Sequence, residues 1–377
     1  MVLMACSQIP LNMVAKPITA KMSGYIITIS LLGIDTLLKS SASRKTSGII
    51  FDYCRGECHT AFTNFDDEAA MTRAAQETQL ETCESEHLQH DASIYASVQR
   101  QLTPYLTVHR ILPQRAIRMI GPWCFLDHFG PVAPANYRQF DVPPHPHIGL
   151  QTITWLLSGQ LLHQDSLGYE QPLRGGQLNL MTAGRGITHA EVADHDPNQP
   201  LHGLQLWRAL PPEHEQTEPR FDHYQQVPKF SLGDCTATLI CGTYATEQRR
   251  WNSPALSFSP SLAMLLNTPR TTAVELHLER DFEYGIYVVG GQIETLDKTI
   301  RAHQLLSLGS NHHHLILELG ADTEVLLLGG EAFEQPVKMW WNFVSASQQR
   351  VEQAQKDWDA GHERFGRVAH YQTKKGN

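Results

Sequence analysis

The chain has 377 residues, 41% of them hydrophobic and 18% charged, with a formal net charge of −9 and a pI near 6.1. That length admits two domains and an extension. The acidic balance, with no cluster of Lys and Arg, excludes a surface built to neutralise nucleic-acid phosphates. Seven cysteines, an odd number spread from Cys6 to Cys241, suit a reducing compartment better than a disulfide framework.

Residues 1–103 differ in texture from the rest and are expected to form a helical or poorly structured extension. Their apolar run, residues 25–34, is stopped by Asp35 and falls short of the ~20 residues of a membrane span. As a signal-peptide core it lies far from Met1 and lacks a clear cleavage site, so no membrane association and a cytoplasmic location are expected. Cys54, Cys58 and His59 resemble half a zinc site, but no second pair follows and they read as ordinary thiols. Asp66-Asp67-Glu68 would complement a helix N-terminus, so one or two helices are expected across 66–99. Translation from an internal Met such as Met71 is the alternative reading of this region.

From Thr107 short β-rich runs are punctuated by Gly, Pro, Asn and Asp, the pattern of an all-β sandwich or barrel. Residues 151–157 read as a strand, Ser158-Gly159 as a turn, and 160–163 as its hairpin partner. Strands follow at 177–181 and 201–207, the latter ended by Pro211-Pro212. The charged passage 213–228 reads as a linker, which gives a first domain over 104–228.

The second domain, 229–366, repeats the first. Trp155-Leu-Leu-Ser-Gly-Gln-Leu-Leu-His-Gln-Asp165 aligns without gaps to Tyr287-Val-Val-Gly-Gly-Gln-Ile-Glu-Thr-Leu-Asp297, which indicates duplication of a whole barrel. The same alignment sets His277 opposite His145 and Glu279 opposite His147, but no His-x-Glu pair follows. His312-His313-His314 cannot all face one side of a strand and read as a polar loop. A helix is predicted near the end, with Ser345 as N-cap, Gln348 as its capping-box partner, an apolar stripe of Val351, Ala354 and Trp358, and Gly361 beyond. Residues 367–377 are a tail.

The chemistry concentrates between Pro144 and Val192. Alternate residues of a strand share a face, so His145 with His147, and His189 with Glu191, each aim two donors one way. If the two strands meet across a barrel, three imidazoles and a carboxylate converge on one divalent metal. Hydrogen bonding among themselves would be a costly use of buried polarity without a metal. Imidazole suits zinc, copper, iron or nickel, and a carboxylate beside histidines with open positions fits iron(II) oxygenase sites. Trp155, Leu157, Leu178, Leu180 and Met181 are candidates for an apolar mouth suited to an aromatic ligand, or for core.

Ile120-Gly-Pro-Trp-Cys-Phe-Leu-Asp-His-Phe-Gly-Pro131, Pro144-His-Pro-His-Ile-Gly149 and Met181-Thr-Ala-Gly-Arg-Gly-Ile-Thr-His-Ala-Glu191 together resemble the pirin family of bicupins, over residues 107–366. Trp340-Trp341-Asn-Phe-Val-Ser345 and the helix after it resemble one bacterial branch. The resemblance implies two cupin barrels, the first holding one metal, commonly iron, with copper, nickel, manganese or zinc as alternatives. The ligands it implies are His145, His147, His189 and Glu191. It also implies a quercetin 2,3-dioxygenase-like activity on a flavonol and dioxygen, with Glu191 accepting the 3-hydroxyl proton and carbon monoxide released. A metal- or redox-dependent regulator that binds other proteins, with Arg185 or the second barrel facing the partner, is the rival reading, and a structural zinc barrel a third. Gln151 stands where the general cupin pattern has a Glu ligand, a change expected to bear on the groups behind the ligands.

Overall fold

The computed structural model describes residues 80–83, 92–103, 106–139, 141–193 and 199–371, with four short strands nearer the start. Those four belong to a separate unit, residues 1–65, in which Ile18–Met22 pairs with Tyr25–Ile29 and Ile49–Phe51 with Thr60–Phe62. Cys54, Cys58, His59 and Met71 lie outside the described residues, as does most of the predicted helical stretch. No described helix is long and apolar enough to cross a membrane.

Residues 66–377 form one unit holding two antiparallel barrels, each a large sheet facing a four-stranded one. The first barrel's large sheet runs Arg220–Tyr224, Leu178–Thr182, Leu150–Ser158, Leu201–Ala209, Trp123–Val132, Leu106–Leu112, Val98–Thr103. Opposite it stand Val142–His147, Ile187–Ala193, Gln160–Asp165 and Glu170–Arg174. The second barrel repeats that small sheet with Thr272–His277, His314–Leu319, Gln292–Thr295 and Lys298–Arg301.

The two large sheets pack against each other, and this seam explains why their strands read as continuous apolar runs: both faces are buried. Leu126, Ile153, Trp155, Leu178, Leu180, Leu204 and Leu206 of one meet Ala263, Leu265, Tyr287, Val289, Leu326 and Leu328 of the other. The Trp123 indole N–H donates to the Gly329 carbonyl at 2.9 Å across it. Arg208, buried in the same seam, donates to Gln151, Ser261 Oγ and the Leu256 carbonyl. His128 is buried there too, with Nδ1 2.8 Å from the Tyr287 hydroxyl and Nε2 2.6 Å from His202 Nε2, and burial pushes it down to about 3. By contrast, His314–Leu319 alternates exposed and buried residues, because only one face of the small sheet meets the core.

Four local expectations change. Residues 150–158 and 160–165 are not hairpin partners: the chain crosses at Ser158-Gly159 from the large sheet to the small one, so each strand pairs elsewhere. The supposed linker contains the strand Arg220–Tyr224, held to Leu178–Thr182 by main-chain bonding that its charged side chains do not prevent. Within 66–99, where helix was expected, the described residues are strands: Glu81–Cys83 pairs with Val337–Trp340, and Ser93–Ala96 with Gln304–Gly309. Finally the helix, Gln348–Asp359, has Ser347 at its N-cap position. Ser345 instead ends the strand Phe343–Ser345, its hydroxyl committed to the buried Glu215. Val351 and Ala354 are buried as the stripe requires, with Trp358 packed beside them.

Candidate metal centre

Val142–His147 pairs antiparallel with Ile187–Ala193, which sets His145 directly opposite His189. The register slips between Val142 and His145, and the following alternation turns both His145 and His147 into the barrel. All three imidazoles are buried, at 7%, 0% and 1% exposure, and one ring nitrogen of each lies within 4.8 Å of the others. Two backbone features make this approach possible. Gly149, at φ +66°, lets the chain pass so close to the Val344 carbonyl that a Cβ would overlap it. Gly184, at φ +50°, does the same against the Thr217 carbonyl just before His189.

A carbonyl can only accept, so His145 Nδ1 donates its proton to Pro143 O at 2.8 Å and His147 Nδ1 to Asn342 O at 3.3 Å. That fixes both tautomers and leaves both Nε2 atoms without a proton, facing the cluster. His147 Nε2 lies 3.1 Å from His189 Nε2, while His189 Nδ1 is buried with no partner. Desolvation holds the three rings neutral, lowering His145 to about 4 and His147 and His189 well below their usual value. Neutral imidazoles, two of them pre-aimed by backbone carbonyls, are the form a transition metal binds, so the donor set fits such an ion.

Glu191 occupies the same cavity but is not within 4.8 Å of all three histidine donors. Its carboxylate accepts the Thr154 hydroxyl proton at 3.2 Å. Burial pushes the carboxyl up to about 7, against the opposing effect of that hydrogen bond. Opposite Glu191 in the register stands His163, which donates to Asp165 at 2.9 Å and stacks on Phe221, its ring 5.4 Å from His189. This buried pair was not singled out from the sequence, although His163-x-Asp165 carries the same alternate-residue signal as the ligand pairs.

The histidines open onto a cavity of about 510 Å³. Its apolar walls are Leu106, Val108, Phe125, Phe129, Leu161 and Trp207, with Phe125 and Trp207 stacked at 3.9 Å. The residues expected at the mouth lie elsewhere: Trp155, Leu157, Leu178 and Leu180 pack into the seam, and Met181 into a buried cluster with Ile187 and Phe221. The polar wall includes Asp127, which accepts two bonds from Arg110 at 2.7 and 2.9 Å. Gln151 faces the seam rather than the ligands, held by Arg208 and Thr182. Met339, Trp341 and Asn342, which follow the second barrel in the chain, return to line the cavity of the first.

In the second barrel the corresponding interior is filled by Leu276, Leu278, Leu315 and Leu317. His277 lies opposite His314 in the register but on the outer side, alternating with those leucines.

The pirin family model matches residues 105–208, and the model for the pirin C-terminal cupin domain matches 264–366. The protein belongs to the pirin family. This pirin is 43% identical over 263 residues to a Pseudomonas aeruginosa protein provisionally named quercetin 2,3-dioxygenase, a match covering 70% of this chain and 82% of the relative. A pirin-like protein of Caulobacter vibrioides is 36% identical, with 67% and 88% covered. Among solved structures, a quercetin 2,3-dioxygenase from Acinetobacter baumannii aligns with a TM-score of 0.71 and 35% identity, covering 76% of this pirin and 94% of that chain.

Proposed function

We propose that this pirin is a metal-dependent dioxygenase cleaving flavonols of the quercetin type with release of carbon monoxide. The observation that carries the reading is the convergence of three neutral imidazoles at the base of an apolar, aromatic cavity, with the half-buried Glu191 carboxyl beside them. The names of the Pseudomonas and Acinetobacter relatives support it. His145, His147 and His189 would hold the ion, with Glu191 as ligand, base or both. Iron(II) is the first choice, and copper, nickel, manganese or zinc the alternatives. When bound, the metal supplies Lewis acidity and open positions for a hydroxylated aromatic ligand.

The chain's own residues account for the remaining steps. Phe125, Phe129, Leu161 and Trp207 take the flat rings and exclude water. Glu191, raised toward neutrality by burial, is suited to accept the flavonol hydroxyl proton, and a bound cation would draw its pKa back down. The Thr154 hydroxyl donates to the carboxylate and so favours the charged form that can take up the proton. Anaerobic reconstitution with each metal, followed by assay of flavonol loss and carbon monoxide, tests this reading. Absence of turnover with iron, copper, nickel and manganese would sink it.

One observation favours a second reading, a metal-dependent regulator that binds proteins. Arg185, on the turn leading to His189, is at the surface and paired with the exposed Glu218 at 2.9 Å, so a shift of the ligand loop would reach a partner there. Capture of a protein partner that depends on iron oxidation, without turnover, would select it. Either reading takes place in a reducing cytoplasm.

A further inference from the structure

We propose a second metal site, on the outer face of the second barrel, in which Glu275, His277 and His314 bind a divalent transition ion of the zinc type. One donor atom from each lies within 4.8 Å of the others. His277 and His314 are directly opposed on antiparallel strands, with ring centroids 4.8 Å apart, and Glu275 precedes His277 by two residues on the same face. Its Oε1 is 2.9 Å from His314 Nδ1. A cation would take the place of the proton between them.

The frame beneath is rigid. Six consecutive residue pairs register Thr272–His277 against His314–Leu319, and Val274, Leu276, Leu315 and Leu317 anchor the inner face in the barrel core. The donors therefore need only side-chain rotation to close on an ion. Stability does not account for the cluster, because an exposed His–Glu pair is screened by water and adds little. Two imidazoles exclude calcium and magnesium as preferred ions and favour zinc, copper or nickel. Of the three consecutive histidines only His314 takes part; His312 donates to the Leu308 carbonyl instead. The strand pair is the counterpart of the one that opposes His145 and His189, with its histidines on the outside.

The inference predicts two metal equivalents per chain, one in each barrel. The metal-stripped full chain would be dialysed against zinc alone. His277→Ala/His314→Ala is expected to lower bound zinc by one equivalent relative to the parent. In the parent, zinc should protect His277 and His314 from diethyl pyrocarbonate, read by mass spectrometry, while exposed His370 stays reactive. The footprint needs no variant, so a folding defect cannot obscure it. Equal zinc content in parent and variant, or zinc leaving His277 and His314 as reactive as His370, would overturn the site.

Discussion

Glu215 offers the sharpest test of how the candidate metal centre is held. Its carboxylate is 1% exposed and accepts the Ser345 hydroxyl at 2.5 Å, the Ala346 N–H at 2.6 Å and the Arg350 guanidinium at 2.7 Å. It thereby fastens residues 345–350 to the loop that closes the first barrel, just after Asn342 has given its carbonyl to His147. Glu215→Ala strips three charge-assisted bonds of roughly 1.5–3 kcal/mol each, though not additively, since Arg350 is half exposed and finds water. We expect a loss of about 3–5 kcal/mol in urea unfolding, the range for removing one partner of a buried ion pair. With the segment loosened, His147 loses its orienting carbonyl, and metal affinity should fall about 10–100-fold. Arg350→Ala, as control, should cost at most about 1 kcal/mol and leave metal binding intact. Full destabilisation with unchanged metal affinity would refute the link between this anchor and the histidine.

Other predictions follow from the same contacts. Thr154→Val removes a bond that favours the charged carboxylate, so the acidic limb of the pH–rate profile for flavonol loss should move to higher pH. Glu191→Gln should leave the melting profile near that of the parent but slow turnover by about 10²–10⁴, if the carboxylate is the base. His128 is held down to about 3 when folded, against 6.5 when free. Below pH 6.5 the unfolded chain therefore takes up the proton first, and His128 should contribute a fall in stability of up to about 1.4 kcal/mol per pH unit toward pH 3, so the acid-side slope of His128→Gln should be shallower than the parent's by that amount. Gly149→Ala would drive a methyl into the Val344 carbonyl and should lower both stability and metal retention in dialysis.

The convergence of the three histidines was legible because its logic is local. A strand's two-residue period places His145 with His147 whatever the rest of the chain does, and the duplicated Gly-Gln framework announces the second barrel. What escaped depends on contacts between distant segments. Nothing in 150–165 tells a hairpin from a crossover, since Ser158-Gly159 turns the chain equally well in both. Trp155 and Leu178 are as apolar as Phe125 and Leu161, and only the seam between the sheets sends one pair into packing and the other to the cavity. The polar passage 213–228 hides a strand because an edge strand needs apolar residues on one face only, and Phe221 suffices. Glu191 shares a face with His189, yet the histidine donors gather without it and its nearest bond is to Thr154.

The return of residues 337–345 to the first barrel also orders events during synthesis. A chain emerging from the ribosome has His145, His147 and His189 available long before Trp341 and Asn342 exist. His147 receives its orienting carbonyl, and the cavity its last wall, only once the entire second barrel has been made and the polypeptide has doubled back. A nascent or prematurely terminated chain thus carries the three histidines but lacks the Asn342 carbonyl and the wall that complete the candidate site.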